Sequence, residues 1–402
     1  MEAAAESPVE IYVQRDAAVT TTMTINNDIT INAQEGSDVT INAGSCSATV
    51  FTVNAGKMFT LGSADKQYCG QITVSKDEKA GRIIDCKGVF NLGYNSTLTK
   101  AKSSAWGNVI LNTGTCNLYG NVKDNSCSQG SSTATTGCVI LNNHINAVLN
   151  ICDGKYLNNA CQYGGGALVY DNAYGTINAS GGHFINNSSY KGGVFGGKAN
   201  NSTTNNNGTK INISGGEFTC NSATERGGVI WAEKKTVVMI TGGVFEGNSA
   251  NVGGGVIGLQ DGATTEISGA VMKNNYVSAA KTSGTYQGGG AVLLTGASTV
   301  TLTNCTIKDN LYVGAADAAG NADGCDIAFR GNGATHTKNL ILTDSSFDGG
   351  IIGWHNTNVS GTACQVIFKG TVEGTDEDTV VPLVFGKRYT VDCANKALVE
   401  ME

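Results

Sequence analysis

Short alternations of apolar and polar residues recur along the chain, each closed by glycine or small polar residues. Thr176-Ile177-Asn178-Ala179, Lys210-Ile211-Asn212-Ile213 and Val237-Val238-Met239-Ile240 put every second side chain on one face, then run into Gly181-Gly182, Gly215-Gly216 and Gly242-Gly243. A period of two residues is that of a strand with one buried face. A second signal follows each alternation, a large apolar residue with Asn three positions later: Tyr156 and Asn159, Phe184 and Asn187, Phe218 and Asn221, Phe245 and Asn248, Met272 and Asn275, Ile307 and Asn310. A third is a Gly-Gly pair before a small or β-branched residue and an apolar one. Its copies begin at Gly165, Gly192, Gly227, Gly254 and Gly289, so the unit advances by 27, 35, 27 and 35 residues. No long amphipathic helical pattern interrupts this order.

Three strands of this length cannot bury an apolar face alone, but coiled into one rung they can stack on the next. The pattern therefore predicts an all-β fold, a right-handed single-stranded parallel β-helix with three-strand rungs of about 27 residues. The repeated Phe should form an interior column, the repeated Asn a ladder of side-chain amides at a turn, and the Gly pair a corner where a Cβ would clash. Weaker copies at Gly81, Gly107, Gly137 and Gly324 extend the register. One domain spans 1–402: tighter N-terminal rungs in 1–80, regular repeats in 81–350, and last rungs with a C-terminal cap, expected after Pro382, in 351–402. The longer units carry extra residues at 200–208 and 279–287, which a solenoid extrudes sideways.

Composition narrows the function. The net charge is −7 with only five Arg, and no basic stripe exists to meet phosphates, which excludes nucleic acid as a partner. The doublet Lys234-Lys235 reads as a solvated turn. No apolar run is long enough for a transmembrane helix, so no membrane insertion is expected of this segment. The opening residues lack the basic and apolar segments of a signal peptide, which fits a piece of a larger protein with its leader and anchor elsewhere. The 13 Cys show no zinc spacing. They read as small apolar filler, with bridges between neighbouring rungs as the alternative in an oxidising compartment. No metal or cofactor is expected, and the chain should be monomeric.

The combination of Gly-Gly-Ala/Val-apolar with Phe-x-x-Asn over about 154–310 resembles the repeats of polymorphic outer-membrane proteins and related autotransporter-like adhesins. The resemblance implies a microbial, secreted or cell-surface protein acting as an adhesin, with a host glycoprotein or a glycan as partner. The membrane β-barrel that ends the outer-membrane examples has no counterpart in these 402 residues.

Two alternatives come from the fold class. A passive spacer needs no site. A polysaccharide-degrading glycosidase or lyase of pectinase-like fold needs carboxylates, and Asn321-Ala322-Asp323-Gly324-Cys325-Asp326 resembles the Asn-x-Asp-Gly-x-Asp motif of polygalacturonases, where Asp323 and Asp326 would act as acid and base. The remaining parts of that constellation are missing, and Gly324 already has a place in the repeat. The acidic run Asp376-Glu377-Asp378 reads as an exposed turn, and His183 as an outward surface residue. For binding, the candidates are Trp231, expected on an outer face, and Tyr286, Lys281, Asn205 and Asn206 in the inserts. Trp354, Tyr163 and Tyr190 are further aromatics expected near turns.

Overall fold

A computed structural model describes residues 8–104, 106–128, 137–204, 206–278, 288–312, 326–330, 337–347, 351–355, 364–370, 378–384 and 387–401. The chain is a parallel β-helix. Its strands collect into four sheets along the rod, of 14, 11, 8 and 14 strands, taken in the order in which one rung visits them. In the rung from Thr176, the first sheet receives Thr176–Ala179, the second His183–Ile185, the third Ser188–Ser189 and the fourth Phe195–Gly197. Thirteen parallel strands of the first sheet, at ~4.8 Å spacing, give a rod roughly 55–60 Å long.

The rung thus holds four strands, one more than the sequence pattern predicts. The extra strand has two residues, too short for a period of two to register. It begins at Lys102–Ser103; the earlier rungs have three strands.

Inside, equivalent residues lie directly over one another. Tyr156, Phe184, Phe218 and Phe245 are register partners with ring centroids 4.9, 4.4 and 4.7 Å apart, and Met272 and Ile307 continue the column. All six are fully buried, each contributing roughly 1.5–3 kcal/mol by removal from water. Eight of the cysteines are buried among the apolar side chains, and all twelve in the described residues are free thiols.

The turn from the second to the third sheet explains Phe-x-x-Asn. The residue before each Asn has a left-handed backbone (Asp124, Asn158, Asn186, Cys220, Gly247, Asn274 and Asp309, φ 54–65°), which turns the Asn inward. There Asn125, Asn159, Asn187, Asn221, Asn248 and Asn275 each donate Nδ2 to Oδ1 of the Asn one rung on, the last acceptor being Asn310, at 2.8–3.0 Å. From Asn159 to Asn275 the backbone N–H donates to that same oxygen. The Gly-Gly corner is equally specific. Gly227 and Gly254 adopt φ of +69° and +66°, and a Cβ on Gly228 or Gly255 would stand 2.1 Å from a carbonyl of the next rung.

At the C-terminal end the parallel order stops. Thr379–Pro382 pairs antiparallel with Cys364–Phe368, Arg388–Asp392 with Ile351–His355, and Ala397–Glu400 with Arg388–Asp392. Antiparallel strands so occupy the edges that a parallel stack would leave open.

Candidate functional site

The connections between sheets are not equally long. From the second to the third sheet they are two residues throughout the regular part, as at 186–187 and 220–221, because the Asn ladder fixes them. From the first to the second they stay short there, as at 180–182 and 214–216. The long connections of the regular part, 128–139, 198–209, 278–291 and 313–326, all border the fourth sheet, one leaving it and three entering it.

The outer face of that sheet carries an irregular row. Gly196, Trp231 and Gly258 are register neighbours, and Gly258 leaves the indole room to lie along the sheet, since a Cβ there would stand 2.9 Å from it. Strand parity does point Trp231 outward, but it is fully buried, contrary to the exposed platform expected from the sequence. Two cations from neighbouring corners cover it, Lys191 Nζ at 4.9 Å and the Arg226 guanidinium at 5.8 Å from the ring centre. Indole Nε1 donates to Glu233 Oε1 at 2.8 Å. Sequence could show the outward parity; it could not show long side chains of other rungs folding over the ring.

Charges interlock above the indole. Glu225 pairs with Lys191 and with Arg226, each at 3.5 Å, and Lys191 lies 4.0 Å from Glu233. Glu233 also accepts the Ala199 N–H at 3.0 Å, which ties the first insert to the site. Burial lowers the Arg226 guanidinium from the ordinary arginine value while Glu225 holds it up, and Arg226 Nε is buried with no partner among the described residues. Arg330 is pushed down to about 10, by burial first and then by the like charge of Arg226. Burial and the neighbouring Glu225 raise the Tyr190 hydroxyl. The result is a largely buried cluster of three cations and two carboxylates over an aromatic ring, with only the edges of the charged groups reaching solvent. Both carboxylates are held by cations, which suits recognition and not proton transfer.

The other candidates fall differently. Asp326 is buried and does not face solvent. Its Oδ1 accepts the backbone N–H and Nδ2 of Asn310, at 3.1 and 2.8 Å, and so closes the Asn ladder. That makes it a structural post at the end of the ladder. Asp323, Lys281, Tyr286 and Asn205 lie outside the described residues, as do Asp376 and Glu377. Asn206 is exposed, and its Oδ1 accepts from Lys235 Nζ at 3.4 Å, while that ammonium also donates to the Ser202 carbonyl at 2.5 Å. Lys234-Lys235 forms the turn the sequence predicts, with Lys234 exposed, while Lys235 also braces the insert. His183 is on the surface, 3.0 Å from Glu217. Tyr163 and Tyr190 are half-buried, and the side chain of Trp354 is outside the description. Among the described residues no group of three or more His, Cys, Asp or Glu could hold a metal, and no helix is long and apolar enough to cross a membrane.

Set against family models, curated proteins and solved structures, the chain matches none.

Proposed function

We propose that this β-helix is a non-catalytic binding domain of a larger microbial surface or secreted protein, an adhesin that takes a glycan or a host glycoprotein on the outer face of its fourth sheet. The observation that carries this reading is that the long connections of the regular part all border the sheet whose outer face holds a Trp covered by interlocked charges. A spacer has no use for a buried Trp under a network of five charges, which costs desolvation and side-chain entropy. The repeat resemblance to polymorphic outer-membrane and autotransporter-like adhesins supports the same role and an extracellular setting. A partly exposed Arg–Lys–Glu cluster beside an aromatic is the kind of anchor that gives an interface its specificity.

A glycan and glycoprotein array with the whole chain tests the reading. Binding is expected, and Arg226→Ala together with Lys191→Ala should remove it. An array with no response sinks the proposal in favour of a spacer. New reducing ends or unsaturated products on incubation with acidic polysaccharides would replace it with an enzyme.

A further inference from the structure

A second site lies on another side of the rod, where the rungs near the N-terminus make one long departure. Between Met58–Leu61 of the first sheet and Gln71–Ser75 of the second, residues 62–70 leave the stack. Later rungs make the same connection in three residues, as at 180–182, so nothing in the solenoid requires this excursion. Its base is held from within by one amide. Buried Asn95 accepts the Ser63 N–H at 2.6 Å and donates Nδ2 to the Gly70 carbonyl at 2.5 Å, joining the two ends. Tyr68 fixes the flank by donating its hydroxyl to the Ala33 carbonyl at 2.8 Å. The tip reaches along the rod to a later rung, where Lys66 Nζ meets Asp153 at 2.6 Å.

Beneath this strap is a cleft of about 410 Å³ lined by Thr60, Ala64, Asn91, Gly93, Tyr94 and Tyr119. Tyr94 and Tyr119 come from adjacent rungs, with ring centroids 5.0 Å apart and planes at 50°. Along one edge runs a row of polar groups: Asn117 Nδ2 donates to Asn91 Oδ1 at 2.8 Å, and Asn91 Nδ2 to Thr60 Oγ1 at 3.1 Å. Each amide spends one N–H in the row and keeps another, and Thr60, as acceptor, keeps its O–H to donate.

We propose that this cleft is a carbohydrate site that takes one neutral pyranose ring. The aromatic walls suit the C–H face of a sugar, and the amides and hydroxyl suit its ring hydroxyls. The volume lies at the low end of small-ligand pockets, the size of a single ring and not of an extended chain. The charge selects neutrality: Asp153 already matches Lys66, so the cleft offers no spare cation to a carboxylate or sulfate. Lys66 Nζ stands 5.5 Å from the centre of the Tyr94 ring, so it closes one end of the cleft. Its ion pair is exposed and weak enough to swing aside as the ring enters. The site shares no residue with the fourth-sheet cluster and does not depend on it.

The test is a titration of the whole chain with methyl glucoside, galactoside, mannoside and N-acetylglucosaminide, with methyl glucuronide as the charged control. Saturation-transfer NMR reports which sugar protons contact the protein. At least one neutral ring is expected to bind in the millimolar range and show transfer to its C–H face. Tyr119→Ala should weaken it about tenfold or more. Ala64→Trp, which fills the cleft and leaves the tyrosines in place, should abolish binding even if Tyr119→Ala unsettles the rung. Glu266→Gln, exposed on the first sheet and in neither site, should change nothing. Absence of saturable binding by any neutral ring overturns the proposal. So does binding that survives Ala64→Trp, or a glucuronide that binds as well as its neutral counterpart. A failure here leaves the array result for the fourth sheet untouched, and the reverse also holds.

Discussion

Two rows of asparagine run along this rod and differ in almost everything except the residue. The corner row, Asn125 to Asn310, is buried, and within it both an amide and a backbone N–H converge on the next oxygen. The second Nδ2 hydrogen serves a carbonyl of the preceding rung: Asn221 donates to the Phe184 carbonyl at 2.8 Å, Asn248 to that of Phe218 at 2.8 Å. The face row, on the outside of the first sheet, joins Asn91, Asn117, Asn150, Asn178 and Asn212 by one bond per rung, each 2.8 Å, and is half open to water. The corner row keeps Asn through seven consecutive rungs and ends on a buried Asp. The face row passes without consequence to Met239 and Glu266. Equal distances therefore do not mean equal worth. What counts is whether water can replace the partner.

The sharpest way to break the comparison is Asn221→Ala. It strands the N–H and Nδ2 of Asn187 and the carbonyl of Phe184, all buried. At about 1–3 kcal/mol per orphaned group, the cost should reach about 3–5 kcal/mol after local relaxation. Urea or thermal denaturation measures it. A loss below about 1 kcal/mol would mean that the ladder is only a by-product of the stack.

Another corner shows what happens when such a row stops. Where the fourth sheet turns into the first, Asn112 donates to Asn142 at 2.8 Å and Asn142 to Asp171 at 3.0 Å. Beyond Asp171 no amide follows. At the inward position before the next first-sheet strands stand Thr236, Ser298 and Lys338, whose Oγ1, Oγ and Nζ are buried without partners among the described residues. Lys338→Met should therefore stabilise the chain by about 1–3 kcal/mol at neutral pH. Burial depresses the Lys338 ammonium in the folded state, so the wild type recovers stability as pH rises toward 10.5 and loses it as pH falls through the depressed value. The advantage of the Met variant must shrink toward alkaline pH. A constant advantage would point to packing instead of charge.

Much of this contrast is legible in the sequence. Phe-x-x-Asn gave the aromatic column and the corner ladder, and Gly-Gly the crowded corner, because those positions admit one residue type and repeat it. The face row was written within the strands Thr176–Ala179 and Lys210–Ile213 but carried no separate signal, since an outward Asn is ordinary in an alternating strand. Asp326 looked like chemistry because a carboxylate in a glycosidase-like string is indistinguishable from one that terminates a ladder until its partner is known. The cover over Trp231 and the strap from Lys66 to Asp153 join residues of different rungs with no repeat to announce them. The candidate sites were least legible for that reason: they are the places where the period is broken.

Asp171→Asn sharpens the comparison more finely. Burial raises the Asp171 carboxyl above its ordinary value, against the bonds from Asn142, Ala173 and Thr209 that favour the charged form. A raised folded value means that the stability tied to the neutral form is complete below about 3.8 and is lost as pH climbs through the folded value. An amide at that position keeps the acceptor for Asn142 without the charge. The variant should be more stable than the wild type at pH 7, and the gain should vanish below about pH 4. The difference in melting temperature across that range measures it, and a loss at pH 7 would show that the ladder needs a carboxylate at its end.

The smallest effect is reserved for the face row, and its smallness is the point. Asn178 accepts from Asn212 and donates to Asn150, the same side-chain chemistry as Asn221, and an argument from contacts alone would assign both a similar value. Both neighbours of Asn178 are half-buried, so after Asn178→Ala water can take up the amide of Asn212 and the oxygen of Asn150. What remains is the strand preference of Ala against Asn and the loss of one partly solvated bond on each side. These should sum to under about 0.5 kcal/mol. Measured beside Asn221→Ala in the same denaturation series, the ratio of the two losses reads the contribution of burial directly. If Asn178→Ala costs as much as its corner counterpart, the face row is cooperative along the rod, and the amides that edge the Tyr94–Tyr119 cleft belong to a rigid array and not to a surface free to turn toward a ligand.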